Sequence, residues 1–140
     1  MTGQLPRGIR NNNPGNIRLG QPWEGLEPTQ TDGAFCQFVD AAHGVRALAI
    51  ILKTYQDVHH LRTVQDMIHR WAPPEDPGND TGAYIDAVAR RMGCAKDAPI
   101  DIHNRDTATA MVCAIITQEN APWVYPRRVV AAGLTLAGIV

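Results

Sequence analysis

Apolar residues recur every three or four positions in three stretches of the chain after residue 40. These stretches span residues 41–57, 64–71 and 81–92. Asp40 and Thr63 directly precede the first two, and either Asp80 or Thr81 opens the third; such side chains accept hydrogen bonds from the first turn of a helix. Pro73 and Gly93 follow the second and third stretches, and both residue types end helices. The pattern therefore predicts three helices with defined ends.

A fourth helix is predicted over residues 105–119, and it ends on a carboxylate. Asn104 is a good N-cap, Asp106 lies in the first turn, and Pro122 prevents a long continuation. One apolar stripe runs along this helix: Ala108, Met111, Val112, Ile115 and Ile116. Glu119 falls on the same stripe. Partial burial and the unpaired carbonyls of the helix end both favour a protonated carboxyl, which is what a general acid requires.

Glu119 also has a purely structural interpretation. A carboxylate on an apolar stripe can be neutralised by an arginine from elsewhere in the chain, and Arg10 and Arg18 are candidates. The helix by itself leaves both roles open, so support for catalysis has to come from the rest of the sequence.

The first twenty residues are rich in turn-forming residues, and most of their uncharged polar side chains are asparagines. Asparagine amides both donate and accept hydrogen bonds, so this loop is either a self-bonded scaffold or a surface that binds sugar hydroxyls and N-acetyl groups. We favour the scaffold role for residues 11–13 individually and the binding role for the loop as a whole, because ordered loops often carry function.

A small β-hairpin is predicted between the asparagine-rich loop and the first long helix. Residues 34–39 have the composition of a strand, and the Asp32-Gly33 pair is typical of a tight turn. A last helix is expected to begin near Pro126 and to close the core. The fold class is therefore mainly α: one domain, residues 1–140, with about five helices and a small hairpin.

Composition excludes several classes of function. The net charge is -1, which gives no basic field for nucleic acid, and the apolar C-terminal segment is too short to span a membrane. Cys36, Cys94 and Cys113 are odd in number and lack metal-ligand spacing, so we expect reduced thiols. The histidines show no HExxH pattern and no cysteine-histidine spacing, so we expect no zinc site, and no cofactor is implied. The N-terminal residues contain no apolar stretch, so we expect synthesis in the cytoplasm without a signal peptide.

The remaining chemistry is that of carboxylates, because the chain has no serine and no phosphate-binding glycine motif. Glycoside cleavage needs a protonated acid at the leaving oxygen, and a second carboxylate can activate water or stabilise the cation. Glu119 has the environment for the first role, and Asp32 is a weaker candidate for the second. Glu24 and Glu27 stay open as alternatives. Glu75 and Asp76 lie in a proline-bounded loop, and we expect them to be solvated.

Several motifs resemble a family of bacteriophage and prophage proteins of the lysozyme-like group. The motifs are RGIRNNNPGNIR at residues 7–18, Trp23 and Gly25, the F-x-x-F pair Phe35 and Phe38, GVRAL at 44–48, RWAPP at 70–74, NDTxxY at 79–84 and the late QEN. The resemblance covers nearly the whole chain. It implies a lysozyme-like fold and a peptidoglycan hydrolase associated with the virion or released at lysis.

A second resemblance concerns the end of the fourth helix. AIITQENAPWVYP is similar to the helix end of soluble lytic transglycosylases and goose-type lysozymes, where an AxxxxES helix delivers the essential glutamate. GAFCQF, which contains Gln37, is similar to the GLMQ segment of those enzymes. The two segments occur in reversed order here, and Asn120 stands where serine is usual. The resemblance implies that Glu119 is the catalytic acid in a circularly permuted relative.

Together these observations predict a glycosidase that cleaves the bond between N-acetylmuramic acid and N-acetylglucosamine in peptidoglycan strands. It would act as a lysozyme or as a lytic transglycosylase. The predicted catalytic residues are Glu119 and Asp32, and the predicted substrate-binding residues are Asn11, Asn12, Asn13, Asn16, Trp23, Gln37, Tyr84 and Asn120. The alternatives are a non-catalytic virion module that binds glycan or other virion proteins, and a toxin-like effector with the same chemistry.

Overall fold

A computed structural model describes residues 5–140 and shows a mainly helical protein. The helices are α1 (Arg7–Arg10), α2 (Ala41–Asp57), α3 (Val64–Trp71), α4 (Thr81–Met92), α5 (Arg105–Asn120) and α6 (Arg127–Leu136). Helices α2 to α6 confirm the five predicted from the sequence, and the single-turn α1 was not predicted. Residues 1–4, which begin the segment where we expect no signal peptide, lie outside the described residues.

The predicted helix ends are confirmed by hydrogen bonds at the caps. Each predicted N-cap side chain accepts from the backbone N–H three residues further on: Asp40, Thr63, Asp80 and Asn104. Gly93 ends α4 in the left-handed conformation, with a φ of 74°. Local sequence thus sets where these helices begin and where α4 stops.

The helices enclose a core in which α2 packs on α6 and α4 packs on α3 and α5. The apolar stripe predicted on α5, from Ala108 to Ile116, is buried. Gly133 lets α6 approach α2 closely, since a Cβ at this position would lie 2.5 Å from Cβ of Val45 and 2.9 Å from the carbonyl oxygen of Ala42. No helix within residues 5–140 has both the length and the apolar character needed to cross a bilayer.

The predicted β-hairpin is wrong. Two isolated antiparallel bridges, Arg18 with Phe35 and Leu26 with Phe38, replace it in the described part of the chain. The backbone of residues 34–39 divides its hydrogen bonds between two segments: residues 34 and 36 bond to residues 17–19, and residues 37 and 39 bond to residues 25–27. The amide of Asn13 donates to the carbonyls of Ile17 and Cys36, both at 2.9 Å.

Candidate active site

A chain of hydrogen bonds ends on the carboxylate of Glu119. Trp71 Nε1 donates to the Tyr84 hydroxyl at 3.0 Å, and that hydroxyl donates to Glu119 Oε2 at 2.8 Å. Asn16 Nδ2 donates to Glu119 Oε1 at 3.1 Å. The four side chains are half-buried. They come from α3, α4, α5 and the asparagine-rich loop, so the site joins distant parts of the sequence.

Burial, followed by the negative charge of Glu119, raises the pKa of Tyr84 well above its usual range. The phenol therefore remains protonated at every physiological pH and always has a proton to donate. Because Trp71 donates to the Tyr84 oxygen, the hydroxyl proton is directed to Glu119 rather than to another acceptor.

Glu119 lines a cleft of about 380 Å³. Apolar and aromatic side chains form part of its lining: Ile17, Phe35, Ile51, Tyr55 and Trp71. Polar side chains form another part: Asn16, Arg18, Asp76, Asn79 and Glu119. Aromatic surface beside a few hydrogen-bonding groups is the lining that suits a sugar, which has both apolar ring faces and hydroxyl edges.

A larger cavity, of about 690 Å³, lies elsewhere, between α4, α5 and α6. Arg91, Arg105 and Arg127 line it together with small side chains of α5, and Asp106 is the one carboxylate in that lining. Arg105 donates to the carbonyl oxygens of Ile139 and Ala131. These bonds give Arg105 a structural role, since they tie α5 to α6 and to the C-terminal residues. The cleft that holds Glu119 is smaller, but it brings together the predicted acid, the asparagine-rich loop and aromatic side chains.

Gly8 positions the Asn16 amide. A Cβ on residue 8 would lie 2.5 Å from Asn120 Oδ1 and 2.8 Å from both Asn16 Oδ1 and the carbonyl oxygen of Asn13. Neither amide oxygen has a hydrogen-bond partner within residues 5–140. They converge on the Gly8 α-carbon, where only weak C–H···O contacts are available. Glycine at this position therefore lets α1 approach the loop closely enough to hold Asn16 against Glu119.

The other predicted asparagines bond mainly to the protein itself. Asn13 and Asn120 are buried, and Asn120 Nδ2 donates to the carbonyl of Pro14 at 2.7 Å. Asn11 Nδ2 donates to Asp32 at 2.9 Å, and Asn12 Nδ2 donates to the carbonyl of Phe38 at 3.1 Å. Asn16 is the member of this group whose side chain reaches the acid.

Asp32 lies in an ion pair outside the lining of the Glu119 cleft. Arg7 donates to its two carboxylate oxygens at 2.8 and 2.5 Å, and the backbone N–H groups of Ala34 and Phe35 also donate to it. These bonds, with that from Asn11, hold the pKa of Asp32 well below its usual range. Asp32 thus fixes the turn before residue 34 to α1.

Trp23 and Gln37 also lie outside the lining of the Glu119 cleft. Trp23 packs against a small buried cluster that contains Ile17, Cys36 and Phe38. Gln37 accepts from Thr31 and lines a separate hollow of about 280 Å³ with Asn11 and Asn12. The alternative acids are exposed: Glu27 borders that hollow, and Glu24 lies near His43 and Arg46.

Of the residues that line the cleft, the sequence assigns only Asn16 and Glu119 to the site, and the unassigned ones include Trp71 and Asp76. Trp71 was interpreted as a core residue; it does pack on the core, but it also lines the cleft and donates to Tyr84. Asp76 was expected to be solvated, and it is exposed at the cleft. The RWAPP motif places both residues near one turn, but it does not show which way that turn points.

Within the described residues no group of three histidine, cysteine or acidic side chains could hold a metal ion. The fold and the cleft therefore define a class: a mainly helical protein with one half-buried glutamate held by an amide and a phenol.

No protein-family model matches the chain. The chain is 39% identical over 128 residues to Protein P5 of Pseudoalteromonas phage PM2. The aligned region covers 87% of this chain and 77% of that protein. It belongs to the Protein P5 family of phage proteins.

Proposed function

We propose that this protein is a phage-type peptidoglycan glycosidase in which Glu119 is the general acid. The observation that supports it best is the placement of Glu119 in a cleft with aromatic and amide side chains, where Asn16 and Tyr84 hold both carboxylate oxygens. The substrate is the glycan strand, cut between N-acetylmuramic acid and N-acetylglucosamine.

The carboxyl has free capacity for the proton that it must deliver. A carboxylate offers about four acceptor positions, and Asn16 and Tyr84 use one on each oxygen. In the reaction the Glu119 proton moves to the glycosidic oxygen, and the bond between that oxygen and the sugar C1 breaks. The cation at C1 is then captured by water in a lysozyme, or by the 6-hydroxyl of the same sugar in a lytic transglycosylase.

The hydrogen bonds from Asn16 and Tyr84 assist the proton transfer because they stabilise the ionised carboxylate that Glu119 becomes when its proton leaves. Glu119 gains negative charge as its proton leaves, and fixed donors stabilise that charge without further reorganisation. The Tyr84 donor is fixed in turn by Trp71, and the Asn16 donor by the close approach of Gly8. The aromatic surface of Trp71 and Tyr55 offers stacking for a sugar ring in the same cleft.

A zymogram on purified peptidoglycan tests the proposal with three proteins: wild type, Glu119→Gln and Glu75→Gln. Glutamine keeps the shape of residue 119 but has no proton to deliver, so clearing should be lost. Glu75 is exposed and does not line the cleft, so its variant should clear like wild type. Equal clearing by wild type and Glu119→Gln would refute the role of Glu119.

A non-catalytic virion module is the second candidate function. It is favoured by kinship with a phage protein, since such proteins include structural components that need no turnover. In that case wild type would sediment with peptidoglycan without clearing it. The zymogram and a sedimentation assay with the same preparation therefore separate the two functions.

A further inference from the structure

The cleft that holds Glu119 contains a second carboxylate, that of Asp76. No other aspartate or glutamate of the described residues lines it. Asp32, the second acid predicted from the sequence, is held by Arg7 and Asn11 away from this lining. If the protein cleaves glycosides with two carboxylates, the structure offers Asp76 as the partner of Glu119.

The backbone at Asp76 is fixed by the turn that connects α3 to α4. Its N–H donates to the carbonyl of Pro73 at 3.2 Å, and its own carbonyl accepts from the N–H of Asn79 at 3.3 Å. The Asn79 side chain also donates to Pro73, and the Thr81 hydroxyl donates to the carbonyl of Ala72. The turn is therefore held at both ends.

The same two helices carry Trp71 and Tyr84, whose hydrogen bonds lead to Oε2 of Glu119. Trp71 ends α3 and Tyr84 lies in the first turns of α4, so the connecting turn is built on the elements that position the acid. Because α3 and α4 also position Glu119, the turn that carries Asp76 is held at a more constant distance from Glu119 than a separate surface loop would be.

The Asp76 side chain is available for chemistry. It makes no hydrogen bond and no ion pair with any residue of the described chain, and it is exposed to solvent. A carboxylate that must take a proton from water needs both properties: an unoccupied oxygen and a water molecule beside it.

We propose that Asp76 is the base that activates the attacking water, an inference that rests on the glycosidase function proposed above. As Glu119 gives its proton to the leaving oxygen, the water oxygen forms a bond to C1 and the C1–O bond to the leaving sugar breaks. Asp76 takes the proton that the water loses. One water is consumed, and exchange with solvent restores the proton of Glu119 and removes that of Asp76.

This role specifies the product. Capture by water gives a free reducing end on N-acetylmuramic acid, whereas capture by the 6-hydroxyl gives an anhydro ring and consumes no water. The products released from purified peptidoglycan by wild type should therefore carry the mass of the hydrated sugar. Products that are all in the anhydro form would overturn the role of Asp76 in activating water.

The decisive experiment compares Asp76→Asn with Glu75→Gln, its exposed neighbour, in the presence and absence of sodium azide. Asp76→Asn should slow product release about 100-fold or more, while Glu75→Gln should behave like wild type. Azide attacks without needing a base, so it should restore turnover to Asp76→Asn and yield a glycosyl azide detectable by mass spectrometry. It should not rescue Glu119→Gln, which lacks the acid.

Each result supports or overturns the inference. Unchanged activity of Asp76→Asn, or a loss that azide does not restore, would exclude Asp76 as the base. If Glu119→Gln is still inactive in the same assay, the proposed function stands without Asp76. If wild type itself releases no product, both proposals fail.

Discussion

The hydroxyl of Tyr84 donates a hydrogen bond to Oε2 of Glu119 at 2.8 Å, while it accepts one from the indole of Trp71. Tyr84→Phe removes the donor to the acid and leaves the Trp71 N–H without its acceptor. A hydrogen bond to a charged group contributes about 1.5–3 kcal/mol, so we expect product release to slow by about 10- to 100-fold. Initial rates on solubilised glycan strands measure this effect.

Tyr55→Phe is the matched control for that variant. Tyr55 lines the same cleft, but its hydroxyl does not bond to Glu119. Its loss should change the rate much less than the loss of the Tyr84 hydroxyl. Equal effects of the two substitutions would argue that the hydrogen bond from Tyr84 to Glu119 has no role in the reaction.

Gly8→Ala should displace the Asn16 side chain that donates to Glu119. Its Cβ would press on Asn16 Oδ1 and Asn120 Oδ1, so Asn16 must move away from Glu119 or α1 must move. Overpacking of this kind costs about 1–3 kcal/mol of unfolding free energy, which urea denaturation measures. We expect a fall in activity in addition to that in stability, at temperatures where the variant remains folded.

Gly82→Ala provides the comparison for Gly8→Ala. Gly82 lies in α4, and the nearest atom to its added Cβ is Asp80 Oδ1 at 3.9 Å. Alanine is the better helix former, so stability should stay level or rise by up to about 1 kcal/mol. A similar loss of stability in both variants would contradict the steric argument made for Gly8.

Asp32→Asn should destabilise the protein in a pH-dependent way. Because hydrogen bonds from Arg7 hold the pKa of Asp32 well below its usual range, the ionised group stabilises the fold above its unfolded pKa, about 3.9. That stabilisation is lost as the pH falls towards the folded pKa. At pH 7 the unfolding free energy of Asp32→Asn should therefore be lower than that of wild type. This difference should become smaller as the pH falls below about 4.

Exposed Asp97 supplies the control, since Asp97→Asn removes an equal charge outside any ion pair among the described residues. Its stability should follow that of wild type across the same pH range. A gap for Asp32→Asn that is constant from neutral to acidic pH would mean that the ion pair with Arg7 does not stabilise the fold.

The helices were predictable because their signals are local. Asp40, Thr63 and Asn104 mark helix starts by their own side chains, and the stripe on α5 identifies its buried face without reference to any partner. The hairpin was not predictable in the same way. Residues 34–39 bond partly to residues 17–19 and partly to residues 25–27, and no local pattern specifies that division.

The site shows the same division between local and distant information. Glu119 could be singled out from its place at the end of an apolar helix, and the asparagine-rich loop from its composition. That Asn16, rather than its neighbours, reaches the acid depends on how α1 and the loop pack on α5. The position of Asp76 depends on the direction of a proline-rich turn, which no periodic pattern specifies.

Proton delivery from Glu119 to the glycosidic oxygen can be tested by comparing the wild-type protein with Glu119→Gln. The rate at which wild type and Glu119→Gln release soluble muropeptides from purified peptidoglycan is followed by mass spectrometry, with thermal unfolding of both proteins recorded alongside. We predict release by wild type and a loss of about 100-fold or more in the variant at an unchanged unfolding midpoint. Release at equal rates by both proteins, or by neither, would refute this role of Glu119.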